Sequence, residues 1–86
     1  MGINVYCVWY EIKQDGNIRD ISITKVLSTS RKAKKEVGRL IEEFKKRYNI
    51  KESIIAGDIT WLFDYGENMG EADYEIMIQV KKFELE

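Results

Sequence analysis

Few side chains in this sequence are suited to catalysis. The 86 residues include no histidine and one cysteine, Cys7, so the commonest general base near neutral pH and the commonest zinc ligand are both missing. These counts exclude serine or cysteine triads and ordinary zinc sites. Catalysis would have to use carboxylates such as Asp58 and Asp64, or a hard metal held by oxygen ligands. We therefore predict that the protein is not an enzyme and binds no cofactor.

An acidic segment at residues 64–75, DYGENMGEADYE, has the length of a calcium-binding loop. Its third position is Gly66, where an oxygen ligand is needed, and its sixth is Met69, where glycine is needed. We predict a β-hairpin loop and no metal site. The same acids could meet a basic surface on a partner protein, or imitate the phosphates of a nucleic acid. The acidic candidates for partner contact are Asp64, Glu67, Glu71 and Asp73.

A basic segment is the second candidate site. Residues 31 to 47 contain eight basic and three acidic side chains. The candidates for phosphate or nucleic-acid contact are Arg31, Lys34, Lys35 and Lys45. Acids four residues from basic neighbours, such as Glu43 after Arg39, instead indicate ordinary surface ion pairs, and no aromatic residue is interleaved to stack on bases. We predict a solvated surface, with nucleotide or nucleic-acid binding as the alternative.

The elements that carry these residues are two pairs of strands around one helix. Residues 3–12 and 18–27 are rich in β-branched and aromatic side chains, and Asp15-Gly16 between them predicts a type I′ hairpin. An apolar stripe from Ala33 to Tyr48 predicts a helix over residues 28–49 that ends at a left-handed Asn49. Residues 58–65 and 74–83 predict two further strands. The order ββαββ predicts an α+β two-layer sandwich in one domain, 1–86, with a mainly antiparallel four-stranded sheet.

One helix cannot cover both faces of that sheet. A two-residue hairpin loop would pair Tyr10 with Ile21 and Glu11 with Asp20. Apolar content then places these side chains under the helix: Val8, Tyr10, Ile21, Ile23, Ile59, Trp61, Phe63, Ile76, Ile78 and Val80. The uncovered face suits a homodimer or another partner, because tryptophan and methionine are enriched at interfaces. Its predicted contact residues are Val5, Cys7, Trp9, Leu62 and Met77.

The first half of the chain resembles small ββαβ accessory proteins of bacteriophages and prophages. The likeness is carried by the strand Val5-Tyr6-Cys7-Val8-Trp9-Tyr10, by Gly16 and Ile18, by Val26-Leu27-Ser28-Thr29 and by the helix start Arg31-Lys32-Ala33-Lys34-Lys35. The resemblance implies a viral, anti-defence inhibitor that blocks a host protein, such as a nuclease, by stoichiometric binding. The alternatives are a dimer that sequesters a signalling nucleotide and a nucleic-acid-binding module that uses the basic helix.

Two further features of the sequence indicate the cellular compartment. No apolar run approaches the roughly 20 residues of a membrane span. The single cysteine agrees with a reducing environment. We expect a soluble protein of the cytoplasm, with no membrane partner.

Overall fold

The computed structural model describes residues 2–65 and 73–85. They form, in chain order, β1 (Ile3–Gln14), β2 (Asn17–Leu27), α1 (Ser30–Arg47), β3 (Glu52–Ala56), β4 (Ile59–Asp64) and β5 (Tyr74–Leu85). The five strands lie in the order β2-β1-β5-β4-β3, and each neighbouring pair is antiparallel. The predicted α+β class is confirmed, but the four-stranded ββαββ arrangement is wrong, because the described residues add a fifth strand.

The additional strand, β3, lies between the predicted helix and the predicted strand at residues 58–65, where the sequence predicts no regular element. It pairs with β4 at the edge of the sheet, and Gly57, with a φ of 60°, turns the chain between the two strands. All five of its residues are exposed. Without a buried side, β3 has no alternation of apolar and polar residues that would mark it as a strand.

The hairpin between β1 and β2 turns at Asp15 and Gly16. Their φ values are 51° and 80°. A type I′ turn needs positive φ at both central residues, and glycine tolerates it without strain. Gln14 pairs with Asn17 directly across the turn. The predicted two-residue loop is therefore confirmed.

Beyond the turn, β2 carries one extra residue at two points of its ladder with β1. The extra residues are Arg19 and Thr24. Each such bulge moves the following side chains by one position, which reverses the sheet face they occupy. Ile21 therefore does not pair with Tyr10, and the predicted register is wrong from the first bulge onward. Ile21 and Ile23 both lie on the face away from the helix.

The core lies between α1 and the sheet face that α1 covers. The buried apolar side chains of the described residues are Val8, Ile12, Ala33, Leu40, Phe44, Leu62, Ile76 and Ile78. In β4 the predicted inward set is reversed, since Leu62 pairs with Ile76 inside the core while Trp61 and Phe63 face away. The apolar content of β4 predicted that Trp61 and Phe63 face the helix, but the helix covers the smaller Leu62.

The helix is shorter than predicted at both ends. The Oγ1 atom of Thr29 accepts a hydrogen bond from the Lys32 backbone N–H at 3.2 Å and so caps the first turn. At the other end Tyr48 is extended, with φ −127° and ψ 153°. Asn49 is not left-handed. Its N–H instead donates to Oδ2 of Asp64 at 3.0 Å, so a side chain from β4 holds the segment that leaves the helix.

Strands β1 and β5 extend beyond the rest of the sheet. Strand β2 ends opposite Tyr6 and β4 begins opposite Gln79, so residues 3–5 and 83–85 pair only with each other. We call this pair of segments the ribbon. The Cα radius of gyration is 14.1 Å, compared with about 12 Å for a compact domain of this length. The ribbon contributes to a longest dimension of 52 Å.

Candidate functional site: an open sheet face and a cationic cleft

No described segment packs against the sheet face that points away from α1, and we call it the open face. Eight large apolar side chains of this face are between 44% and 67% exposed. They are Ile3, Ile18, Ile21, Ile23, Val26, Ile54, Phe83 and Leu85. An apolar surface of this extent on a small domain is typical of an interaction site.

A shallow depression of about 280 Å³ lies at the β2–β1–β5 end of the open face. Its lining residues are Cys7, Trp9, Ile21, Ile23, Lys81 and Phe83. The two isoleucines reach it only because the bulge at Arg19 turns them to this side of the sheet. The depression is therefore the part of the open face best shaped to receive an apolar side chain.

Charged side chains occupy the inner strands of the open face. Lys13 Nζ lies 3.7 Å from Glu11 Oε1, and Lys13 pairs across the strands with Glu75. The predicted like-charge pair of Glu11 and Asp20 is wrong. The bulge in β2 places Asp20 on the helix side, where its Oδ2 accepts a hydrogen bond from the Tyr10 hydroxyl at 3.0 Å. Burial, with a further contribution from this bond, raises the pKa of Tyr10.

Four of the five predicted contact residues lie on the open face: Val5, Cys7, Trp9 and Met77. The fifth assignment, Leu62, is wrong, because its side chain is fully buried beneath the helix. Its neighbour Trp61 occupies the open face instead.

The structure describes two of the four acidic candidates, Asp64 and Asp73. Glu67 and Glu71 lie outside the described residues, as does most of the segment with the length of a calcium loop. Asp73 is half-buried beside Asp64, and its N–H donates to the Asp64 carbonyl at 2.8 Å. The Asp64 side chain is itself buried, with 8% of its residue surface exposed, and it holds the Asn49 N–H. The prediction that Asp64 contacts a partner is therefore wrong.

The two carboxylates considered for catalysis are far apart. Asp58 precedes β4 and Asp64 is its last residue, so they lie at opposite ends of the strand. In residues 2–65 and 73–85, no three acidic or cysteine side chains are grouped as metal ligands. Asp58 and Asp64 therefore do not form a paired-carboxylate centre.

A cleft of about 360 Å³ lies between β2 and the first half of α1, and we call it the cationic cleft. Its lining residues are Lys25, Leu27, Lys32, Lys35, Glu36 and Arg39. Of the predicted phosphate-contact residues, Lys35 lines this cleft and Lys34 lines a separate one of about 120 Å³. The other two, Arg31 and Lys45, are exposed on the helix.

Glu36 is a buried acid in the wall of the cationic cleft, with 4% of its surface exposed. Its carboxylate accepts two hydrogen bonds from Arg39, from Nε at 2.7 Å and from Nη2 at 2.9 Å. Lys25 Nζ lies 3.7 Å from the same carboxylate. The hydrogen bonds from Arg39 hold the pKa of Glu36 below its ordinary value of 4.5. Arg39 thus pairs three residues back along the helix, and the predicted pair with Glu43 does not form.

We expect Glu36 to make the stability of the protein depend on pH. Because the pKa of Glu36 is lower in the folded state, its carboxylate stabilises the fold at neutral pH, and this contribution is lost as the pH falls below about 4.5. Glu36→Gln should cost about 1.5–3 kcal/mol at pH 7, because the neutral amide cannot keep both charge-assisted hydrogen bonds from Arg39. Thermal unfolding measured from neutral to acidic pH should show that the difference in stability between Glu36→Gln and wild type narrows in acid.

Glu42→Gln, on the exposed side of the same helix, is the matched control. Its difference in stability from wild type should be small at every pH. An unchanged gap for Glu36→Gln between neutral and acidic pH would contradict the assigned role.

Comparisons of the chain with protein-family models, curated proteins and solved structures found no match. Among the described residues, no helix combines the length and the apolar character that a membrane crossing requires.

Proposed function

We propose that this protein is a non-enzymatic binding protein that forms a homodimer through its open face. The observation that carries the proposal is the set of large apolar side chains exposed together on that one face. Three further features favour a second copy of the chain as the occupant: the excess of exposed area, the unsupported ribbon and the balance of charge.

The exposed area exceeds that of a compact monomer by about the area of one interface. The chain exposes 6143 Å², whereas a compact monomer of 10.1 kDa is expected to expose roughly 5,300 Å². The difference, about 800 Å², is close to the area that each partner buries in a stable interface of standard size. A dimer would bring the exposed area per chain back to the ordinary range.

The ribbon needs support from outside its own two strands. Two-stranded sheets are marginally stable in water unless a third strand or another apolar surface covers them. Here Ile3 and Leu85 are 65% and 51% exposed, and they pair with each other on the open side. A second copy would cover these side chains with its own open face.

The charges of the open face favour a like partner. It carries Glu11, Glu52 and Glu75 together with Lys13 and Lys81, so acids and bases are nearly equal in number. A two-fold axis sets the same surface against itself, and a surface of mixed charge can then form opposite-charge pairs. A strongly acidic or strongly basic partner would gain no such complementarity.

Light scattering after size-exclusion chromatography tests the dimer. At roughly 100 µM, well above the micromolar Kd expected of a standard interface, wild type should have about twice the 10.1 kDa chain mass. Ile23→Asp places a charge in the depression and should weaken dimerisation more than tenfold. Ile55→Asp is the matched control, since Ile55 is 70% exposed but lies on the other side of the sheet, and it should leave the dimer intact.

Circular dichroism should show that both variants are folded, and Val26→Asp, at another exposed position of the open face, is a second test of the same surface. A monomeric wild type at that concentration, or a dimer unaffected by either open-face variant, would overturn the proposal. The monomeric outcome would assign the open face to a different protein, which is the mode of action that the phage resemblance implies.

A further inference from the structure

We propose that the cationic cleft binds a small phosphorylated molecule. Lys25, Lys32, Lys35 and Arg39 line it together with one acid, Glu36, so four positive charges face one negative charge. A phosphate monoester carries about −1.5 to −2 charges at pH 7, and one or two phosphate groups would balance the excess. The proposal uses a surface on the helix side of the sheet, so it does not depend on the homodimer.

The origin of its lysines separates the cleft from the basic surface of a single helix. Its lysines come from two elements, with Lys25 on β2 and Lys32 and Lys35 on α1. They line an open concavity of about 360 Å³, a volume within the roughly 300–1,000 Å³ of small-molecule sites.

Glu36 arranges the cations of the cleft without cancelling them. Its buried carboxylate binds Arg39 through two hydrogen bonds and lies 3.7 Å from Lys25. A guanidinium has five N–H donors, and these two bonds leave the others for a ligand. Glu36 is thus a positioning residue that contacts cations from two elements.

The helix itself adds to the positive potential at this end. The first turn of α1 contains no acid, although acids are favoured there by the helix dipole, and it contains Arg31 and Lys32 instead. Cations near the N-terminal end of a helix are electrostatically unfavourable. A bound anion would remove this penalty.

The lining favours a small phosphorylated ligand over a nucleic acid. Its apolar member is Leu27, and it includes no aromatic side chain on which a base could stack. Farther along the helix Glu42 and Glu43 interrupt the basic surface that a phosphate backbone would follow. The cations are therefore gathered around one site and are not spread along a track.

Calorimetry with inorganic pyrophosphate and with a nucleoside diphosphate tests the proposal. Wild type should bind one ligand per chain at low salt. The double variant Lys32→Ala, Lys35→Ala should bind at least tenfold more weakly. The matched control is Lys45→Ala, Lys46→Ala, which removes the same charge from the last turn of the same helix and should change the affinity less than twofold.

Three outcomes would overturn the proposal: no binding of either ligand at millimolar concentration, equal weakening by both double variants, or binding of a single-stranded oligonucleotide alone. The measurement is repeated on Ile23→Asp. If Ile23→Asp is monomeric and still binds the ligand, the cleft functions independently of the dimer. Failure of one proposal can then be distinguished from failure of the other.

Discussion

Replacing Phe44 with alanine should lower the free energy of unfolding by about 3–5 kcal/mol. Phe44 is 2% exposed, and its ring packs edge-on against Tyr10 with 5.1 Å between ring centroids. It is the largest side chain that α1 buries, so its removal leaves a cavity between helix and sheet. The loss is a large part of the roughly 5–15 kcal/mol that stabilises a typical domain. Urea denaturation followed by circular dichroism would measure it.

Phe44→Leu is the control for this experiment, because it keeps most of the buried volume and should cost clearly less. Both variants must be compared at one protein concentration, since dimerisation would add to the apparent stability of each. A loss below about 1 kcal/mol for Phe44→Ala, the average for any point substitution, would contradict the packing of α1 on the sheet.

Replacing Leu62 with alanine should cost about 2–5 kcal/mol, whereas the adjacent Trp61→Ala should cost less than half as much. Leu62 has no exposed surface and packs in the core, while the larger Trp61 lies on the open face. The two positions share one strand and differ in the face they occupy. Denaturant titration of both variants under the same conditions would compare them.

A larger loss of stability for Trp61→Ala than for Leu62→Ala would instead support the assignment of β4 side chains that the sequence predicted. Trp61→Ala should instead act on association, because tryptophan residues often contribute strongly to interfaces. We therefore expect its largest effect in light scattering and that of Leu62→Ala in unfolding.

Elements with a strong local signal could be predicted from the sequence. The Asp15-Gly16 turn needs glycine for its positive φ, and the stripe from Ala33 to Tyr48 has a clear helical period. β3 could not be predicted, because an exposed edge strand has no buried side. The faces of β4 could not be assigned by apolar content, since its aromatic residues lie on the open face while Leu62 is buried.

The candidate sites were predictable to different degrees. One helix against four strands already implied an uncovered face, but the bulges in β2 decide which isoleucines lie on it. The cationic cleft depends on Lys25, whose place on the helix side also follows from the predicted register, because the two bulges before it cancel. Glu36 could have been noticed, because it lies three residues after Ala33 and four before Leu40, within the buried stripe.

The pairing of β1 with β5 governs how the chain can fold during its synthesis. The first and the last described strands are neighbours, with Val8 beside Val80 and Ile12 beside Ile76. The β1–β2 hairpin and α1 can form from local contacts, but the edge of β1 stays unpaired until β5 has left the ribosome. Contacts between such distant segments slow folding and leave strand edges open to aggregation meanwhile. The nascent chain therefore completes its sheet only after translation has passed β5.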